Sequence, residues 1–251
     1  MLRSFIAVTF LALFLILVGP LLILHCLIAG SPEFLYRIAA GATEFALAIC
    51  GTRVKVDGRE NIPPGVCIFV ANHTSNADPP VVVAAIPRRV AMLAKKEIFR
   101  IPILGTAMKL TGYVPVDRRH RESAIASVDL SLENLKRGVS YLIFPEGTRS
   151  PDGRLRPFKK GSFVMAIRAQ VPVVPVSVIG AHKIMRKGES AIYPGEVTVK
   201  IHPPVQVNSY TVEHRDELIA RVQAIVASGL PEDQQPLAPN TECADSSLRS
   251  E

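Results

Sequence analysis

The chain opens with an almost uninterrupted hydrophobic stretch. From Phe5 to Ala29 no residue carries a fixed charge, and this length matches the roughly 20 apolar residues that cross a bilayer core. A cleaved signal peptide would have a shorter apolar region, of about 7–15 residues, and a small-residue cleavage site. The best candidate site, Ala29-Gly30-Ser31, is followed by Pro32, which we expect to block processing. The pattern therefore predicts a retained membrane anchor.

A second apolar stretch, from Phe34 to Cys50, contains Arg37 and Glu44. These two charges are seven residues apart, so they fall on one side of a helix and leave the other side apolar. We expect this helix to lie in the membrane interface, and an amphipathic helix packed on a soluble core is the alternative. Residues 1–50 are thus predicted to be N-terminal membrane-anchoring helices.

After Gly51 the pattern changes to short apolar strands that alternate with helices. Strands are predicted over residues 53–56, 66–71, 90–94, 113–116, 141–144, 173–179 and 197–201, and helices over 79–85, 103–110, 123–136 and 212–227. Fully apolar strands that alternate with helices are typical of an α/β fold with a mainly parallel, mixed sheet flanked by helices. We assign this domain to residues 51–230. The polar, acidic tail of residues 231–251 is predicted to be disordered.

The charge distribution narrows the range of partners. The net charge is +7, and the excess is concentrated between Arg88 and Glu122 and between Arg149 and Arg168. Such patches suit a phosphate-bearing substrate, an anionic lipid surface or nucleic acid. The hydrophobic N-terminus and an aromatic content of only 6% disfavour nucleic acid. Four cysteines are too few for a disulfide scaffold, which indicates a reducing compartment.

Several common sites are absent from the sequence. There is no Gly-x-Ser-x-Gly elbow, Walker loop, Gly-x-Gly-x-x-Gly, Cys-x-x-Cys or His-Glu-x-x-His motif. The sequence therefore predicts no metal site and no cofactor, and it offers no motif of a serine hydrolase.

The first positive signal is the segment from Asn72 to Pro79. His73 follows an apolar strand, and the turn-forming residues after it could fold Asp78 back onto the imidazole. The carboxylate would then accept the Nδ1–H and leave Nε2 as a general base. In the alternative interpretation Asp78 only caps the following helix and His73 packs in the core.

Three further segments suggest a binding site. Phe144–Ser150 follows a strand, and its glycine, threonine and arginine could bind an anion, unless the arginine is simply solvated. Lys96–Arg118 places Arg118 after a short strand, where a surface pair with Asp117 is the alternative. The apolar Val171–Val176 could line an acyl chain or belong to the core.

In this order, the segments resemble the four motif blocks of glycerolipid acyltransferases, and most closely those of the 1-acyl-sn-glycerol-3-phosphate acyltransferases. The resemblance covers roughly residues 51–204. It implies the site residues listed here: catalytic His73 and Asp78; phosphate-binding Arg149, Arg118, Lys96, Thr148, Gly147 and Glu146; and an acyl-chain pocket of Val171, Pro172, Val174 and Pro175. Glu146 would orient one of the cations or the acceptor.

The resemblance also implies a reaction. An acyl group would move from acyl-CoA or acyl carrier protein to the 2-hydroxyl of lysophosphatidic acid and give phosphatidic acid. His73 would act as the base in a direct transfer, and a covalent intermediate on Thr74 or Ser75 is the less favoured route. Other lyso-lipids, including lyso-ornithine lipid, are alternative acceptors, and a lipid hydrolase or a non-catalytic lipid-binding membrane protein is the alternative function. We expect a bacterial inner membrane with the domain on its cytoplasmic face; the sequence does not predict the oligomeric state.

Overall fold

The computed structural model describes residues 1–117, 121–185, 189 and 191–236, without the side chains of residues 121–125. Its strands are β1 (Thr52–Asp57), β2 (Ile68–Ala71), β3 (Val90–Lys95), β4 (Val114–Val116), β5 (Ser140–Ile143), β6 (Val173–Ile179) and β7 (Gly195–Ile201). Its α-helices are α1 (Leu2–Leu17), α2 (Gly19–Ala29), α3 (Glu33–Ile49), α4 (Asp78–Ala85), α5 (Leu104–Leu110), α6 (Arg121–Lys136), α7 (Gly161–Ala169), α8 (Ala181–Ile184) and α9 (Arg215–Ser228).

The strands form one mixed sheet in the order β1-β7-β6-β2-β5-β3-β4. Every neighbouring pair is parallel except β6 and β7, which are antiparallel. Strands β2, β3, β4, β5 and β6 therefore end at the same edge of the sheet. Ligands of open α/β sheets bind outside such carboxyl ends. The predicted α/β fold with a mixed sheet flanked by helices is confirmed.

Helices cover both faces because the central strands are apolar throughout and need burial on both sides. On one face, α6, α7 and α9 pack on the sheet through buried residues such as Leu132, Phe163 and Leu218. On the other face, α3, α4 and α8 contribute the second core cluster, with Tyr36, Leu47, Val81 and Ile184 among its members. Helix α7 was not predicted from the sequence.

The N-terminal apolar stretch is not one continuous helix. Helix α1 ends before Val18, and α2 begins at Gly19 with Pro20 in its first turn, so that the two helices meet at an angle of 44°. Proline lacks the N–H that a continuous helix would need there. Among the described residues no single helix is long and apolar enough to cross a membrane, although α1 and α2 together would suffice by length and composition.

Helix α3 joins the N-terminal helices to the α/β domain. Tyr36 and Leu47 belong to the core on one face of the sheet, as the alternative interpretation of this helix expected. At its first turn, the carboxylate of Glu33 pairs with the guanidinium of Arg89 at 2.7 Å, directly before β3. Large hydrophobic side chains of α1, α2 and α3 nevertheless remain exposed: Phe5, Leu13, Ile16, Leu17, Leu21, Leu24, Leu27, Ile28, Phe34 and Phe45.

The C-terminal segment differs from the predicted disorder in its first residues. Glu232–Gln234 forms a 3-10 turn, Gln234 is buried, and its carbonyl accepts a hydrogen bond from the Leu155 N–H at 2.9 Å. This part of the tail packs on the domain because its backbone supplies a partner for a neighbouring loop. Residues 237–251 lie outside the described part of the chain.

Candidate active site

The sheet brings three of the sequence-predicted segments to one edge. His73 lies two residues beyond β2, and the Phe144–Ser150 segment begins directly after β5. Because β2 and β5 are adjacent and parallel, these two segments leave the sheet side by side. Lys96 follows β3, the next strand along, so the same edge collects an imidazole, carboxylates and cations.

His73 and Asp78 meet across the turn that the sequence predicted. The Nδ1 atom of His73 lies 2.8 Å from Oδ2 of Asp78. The carboxylate is fully buried, whereas 14% of the imidazole side chain remains exposed. A carboxylate oxygen can only accept, so Nδ1 carries the proton and the neutral ring keeps a lone pair on Nε2. This is the arrangement of a general base that is oriented by an acid.

Asp78 also organises the turn itself. Its Oδ2 accepts the backbone N–H groups of Thr74 at 2.6 Å and Ser75 at 2.7 Å. Helix α4 starts at Asp78, and its N-cap is Ala77, which provides no side-chain hydrogen bond. The alternative interpretation, in which Asp78 only caps the helix, does not hold: its carboxylate faces back into the turn, where it accepts two backbone N–H groups and contacts the imidazole.

The backbone of His73 is held from two sides. Its N–H donates to Oε1 of Glu146 at 2.7 Å, and its carbonyl accepts from the Ser150 N–H at 2.8 Å. The ring stacks on Phe144 with 4.4 Å between the centroids. Phe144 was part of the predicted motif, but its role as the platform under the imidazole was not predicted. His73 is thus fixed by the hydrogen bond to Asp78, the stack on Phe144 and two hydrogen bonds of its backbone.

Asn72 fixes the end of β2 to the neighbouring strand. Its side-chain amide donates to the Val178 carbonyl at 2.9 Å, and its Oδ1 accepts the Val178 N–H at 2.7 Å. The sequence identified Asn72 only as a turn former. In the fold, Asn72 replaces the backbone hydrogen bonds that the strand would lose where it bends away, and it thereby keeps the position of His73 constant.

Glu146 contacts the turn between His73 and Asp78. The sequence had predicted a different role, in which Glu146 orients one of the cations or the acceptor. Burial raises the pKa of Glu146 to about 8, and the backbone N–H groups of His73 and Arg156 offset only part of this effect. The carboxyl group is therefore largely protonated at neutral pH. It acts as a buried hydrogen-bond acceptor for the backbone of His73.

The predicted cations have different environments. Lys96 is ion-paired with Asp117. The sequence had suggested a surface pair of Asp117 with Arg118 as one alternative. Arg149 is half-buried and Thr148 is exposed at the rim, while Gly147 adopts a φ of 72°, in the left-handed region that favours glycine. Arg118 lies outside the described residues.

The structure does not bring the predicted acyl-chain residues to this edge. Val171 and Pro172 precede β6, which is parallel to β2, so they lie at the opposite edge from His73. Val174 pairs with Phe69 in the middle of the sheet and is fully buried in the core. Pro175 is buried beside it. These contacts are those of the core, and an acyl-chain role for the four residues stays a prediction.

Within the described residues, no group of three or more histidine, cysteine, aspartate or glutamate side chains could hold a metal ion. The chemistry that the residues themselves offer is proton transfer at His73. Lys96 and Arg149 lie at the same edge of the sheet, and we call them the cationic rim.

Comparisons with known proteins agree with this geometry. The model of the acyltransferase family matches residues 53–179. The chain is 34% identical to a 1-acyl-sn-glycerol-3-phosphate acyltransferase of Limnanthes douglasii over 75% of this chain and 67% of that protein. It is 40% identical to a chloroplastic enzyme of the same name from Brassica napus, over 61% of this chain and 45% of that protein.

A solved structure extends the likeness to nearly the whole chain. The crystal structure of the 1-acyl-sn-glycerophosphate acyltransferase PlsC from Thermotoga maritima superposes with a TM-score of 0.81 at 30% identity, over 91% of this chain and 93% of that one. The family match includes His73, Asp78, Lys96 and the Glu146–Arg149 loop. The chain belongs to the 1-acyl-sn-glycerol-3-phosphate acyltransferase family.

Proposed function

We propose that this chain carries out the acyl transfer of its family at the His73–Asp78 pair, with 1-acyl-sn-glycerol 3-phosphate as the acceptor and phosphatidic acid as the product. The observation that carries the proposal is the imidazole itself. Its Nδ1 is bound to a buried carboxylate at 2.8 Å, and its ring is partly open to solvent at the carboxyl edge of the sheet. An alcohol needs such a base because it is a poor nucleophile at neutral pH.

The reaction balances without a protein nucleophile. The 2-hydroxyl of the acceptor attacks the thioester carbonyl of acyl-CoA or acyl carrier protein while its proton moves to Nε2 of His73. The C–S bond then breaks, and the leaving thiolate takes that proton. Asp78 stabilises the imidazolium in between. Ser75 and Thr74 are poor candidates for a covalent intermediate, since both are buried and the Ser75 hydroxyl donates to the Met185 carbonyl at 2.8 Å.

The acceptor phosphate binds at the cationic rim. Arg149 stands two residues beyond Gly147 in the loop that contacts His73, and its planar guanidinium can bind two phosphate oxygens. Lys96 and Thr148 flank it on the same edge of the sheet, and Arg118 is assigned with them by motif alone. The ion pair with Asp117 keeps Lys96 near this rim.

An acyl chain has a better place than the predicted Val171–Pro175 segment. An apolar cavity of about 280 Å³ lies between α3, α4 and α5, and Leu35, Pro79, Pro80, Met92 and Met108 are among the residues that line it. The two prolines directly follow Asp78, so the cavity adjoins the catalytic turn. A hydrocarbon chain that enters here buries its surface against side chains of the same character.

The N-terminal helices supply contact with the lipid phase. The exposed hydrophobic side chains of α1, α2 and α3 would be costly in water and are stabilised in a bilayer. Both the acceptor and the product partition into lipid, so an enzyme seated there meets them by lateral diffusion. Membrane association therefore accompanies the proposed reaction, and the bacterial inner membrane stays a prediction.

The test is an acyl-transfer assay on the purified full chain in detergent or lipid nanodiscs. Acyl-CoA or acyl carrier protein is the donor, and free thiol and phosphatidic acid are both measured. We expect thiol release only when lysophosphatidic acid is present. Release of fatty acid without an acceptor would indicate a hydrolase, and no release with either donor would refute the proposal.

A second arm tests the phosphate assignment. Arg149→Ala should raise KM for lysophosphatidic acid about tenfold or more, because a charged hydrogen bond to phosphate is lost, with less effect on kcat. Equal weakening towards a lyso-lipid with a neutral head group would show that Arg149 serves the structure of the loop instead.

A further inference from the structure

A second cavity lies beside the Glu146–Arg149 loop, on the face of the sheet opposite the cavity between α3, α4 and α5. Its volume is about 260 Å³, and it lies between the carboxyl ends of β3, β4 and β5 and the helices α6 and α7. Its wall is mostly apolar, with Leu93, Val116, Val128 and Met165 among the residues that form it. The polar part of the lining comes from Gly147, Lys159 and Ser162, and the described residues that line it include no carboxylate.

Ser162 is a buried hydroxyl without a partner. It is 7% exposed, and its Oγ makes no hydrogen bond within the described part of the chain. A buried hydroxyl without a partner is destabilising, and a bound ligand that supplies a hydrogen bond would relieve this. Ser162 is the second residue of α7, a helix of nine residues whose first turn contains no acidic side chain. The positive end of the helix dipole is therefore not neutralised from within the helix.

Lys159 links this cavity to the catalytic loop. Its backbone N–H donates to the Pro145 carbonyl at 2.9 Å. Its side chain runs across Gly147 so closely that a Cβ at that position would lie 2.8 Å from Nζ. Glycine at 147 thus admits the lysine as well as the left-handed backbone. Lys159 is exposed, and its ammonium lies over Gly147, the residue after Glu146, whose carboxyl group contacts the backbone of His73.

We propose that Lys159 and Ser162, at the start of α7, bind the phosphate of the acceptor together with Arg149. The inference rests on the proposed function. An ammonium beside Gly147, an unpartnered hydroxyl and a helix N-terminus are complementary to a phosphate monoester. The acceptor is favoured over the donor because its phosphate is attached one carbon away from the reacting hydroxyl, whereas the phosphate of the donor lies at the far end of the pantetheine arm.

The test compares Lys159→Met and Ser162→Ala with the matched control Lys160→Met, which removes an exposed lysine at the next position. Each full-length variant is purified, and KM is measured for lysophosphatidic acid and for the donor. Lys159→Met should raise the acceptor KM roughly tenfold, and Ser162→Ala roughly threefold to tenfold. Lys159→Arg should keep most of the affinity, and Lys160→Met should stay within about twofold of the wild type.

Three results would overturn the proposal. These are an unchanged acceptor KM in Lys159→Met, an equal effect of Lys160→Met, or a rise confined to the donor KM. Thermal unfolding of each variant separates loss of binding from loss of folding, and Lys159→Arg provides a variant that retains the charge if Lys159→Met is unstable. A wild type without acceptor-dependent thiol release would refute the proposed function instead, so the two failures are distinguishable.

Discussion

Two histidines in this molecule make side-chain contacts of the same length, and we propose a catalytic role for only one of them. His73 Nδ1 lies 2.8 Å from the Asp78 carboxylate, and His202 Nε2 lies 2.8 Å from the Ser177 hydroxyl. The second pair has the composition of a nucleophile and its base. Distance alone would assign both pairs to catalysis.

The hydrogen-bond directions separate the two pairs. The Ser177 hydroxyl donates its proton to the Val226 carbonyl at 2.7 Å, so the His202 Nε2–H must be the donor in the other contact. An imidazole that donates to a hydroxyl cannot remove its proton. Burial, and to a lesser extent Lys200, lowers the pKa of His202, which keeps the ring neutral.

The two pairs also differ in whether a substrate can reach them. Ser177 is fully buried, and a Cβ added at Gly229, just after α9, would lie 2.4 Å from its Oγ. No substrate reaches that hydroxyl through the packed end of a helix. The comparison teaches that the ionic partner, the direction of donation and the open ring edge identify the functional histidine, while the contact length does not.

The largest effect should come from removing each imidazole in turn. His73→Ala should lower kcat by about 10²–10⁴-fold because the proton acceptor is lost, and the variant should remain folded although it also loses the stack on Phe144 and the hydrogen bond to Asp78. His202→Ala should instead lower the free energy of unfolding by about 1–3 kcal/mol and leave the activity of the folded fraction within about twofold. Acyl-transfer rates and thermal unfolding of both variants check this, and an inactive but stable His202→Ala would reverse the assignment.

The next effect should come from the partner of His73. Asp78→Asn keeps the size of the side chain but removes the charge that stabilises the imidazolium, and its amide can present a donor to Nδ1. We expect kcat to fall about 10²-fold or more, with little change in KM for lysophosphatidic acid. A variant with near-normal kcat would show that Asp78 matters only for the turn, where its Oδ2 accepts two backbone N–H groups.

A smaller effect, on stability alone, is expected at Gly229. A methyl group there would meet Ser177 Oγ at 2.4 Å and His202 Nε2 at 2.7 Å, so the helix end must move. Gly229→Ala should lower the free energy of unfolding by about 1–3 kcal/mol, as overpacking does. Gly41→Ala is the control, since nothing lies within 4 Å of a Cβ there. Equal stability of the two variants would contradict the packing that closes the Ser177–His202 pair.

The last effect concerns the pH dependence of stability and should come from Glu146. Its folded pKa of about 8 lies above the ordinary value of 4.5, so the unfolded chain releases this proton at a lower pH than the folded protein. The contribution of Glu146 to stability therefore falls as the pH rises from about 4.5 to about 8. Glu146→Gln does not titrate and keeps an acceptor for the His73 N–H.

The measurement is the difference in Tm between Glu146→Gln and the wild type at several pH values. This difference should increase steadily from pH 5 to pH 8 and change little above that range. A constant difference across the range would mean that the buried carboxyl group titrates normally.

Much of the fold could be predicted because strands and helices alternate clearly in the sequence. Strand β6 was predicted with its observed bounds, Val173–Ile179, since a run of β-branched residues that begins after a proline has few other structures available. Helix α7 was missed for the opposite reason. Its apolar run Phe163–Ile167 is buried almost all round, so it lacks the polar face that would reveal a helical period.

The central contact of the candidate site was predicted, whereas the residues that support it were not. The His73–Asp78 contact could be predicted because the turn formers between the two residues leave few ways to connect a strand to a helix. The tie from Asn72 to Val178 and the bond from Glu146 to the His73 N–H depend on which strands become neighbours. A single sequence does not specify that order, and for the same reason it left open whether Val171 and Pro172 line an acyl chain or belong to the core.

Helix α3 has a consequence for how this enzyme is oriented. Its Tyr36 and Leu47 belong to the core, and its Glu33 is bound to Arg89 beside β3, while Phe34 and Phe45 of the same helix point outward. The position of Phe34 and Phe45 relative to the carboxyl ends of the strands is therefore established when the domain folds. Removal of residues 1–49 would delete Tyr36 and Leu47 and expose the core on one face of the sheet. The truncated chain should therefore unfold, and it would not give a soluble form of the enzyme.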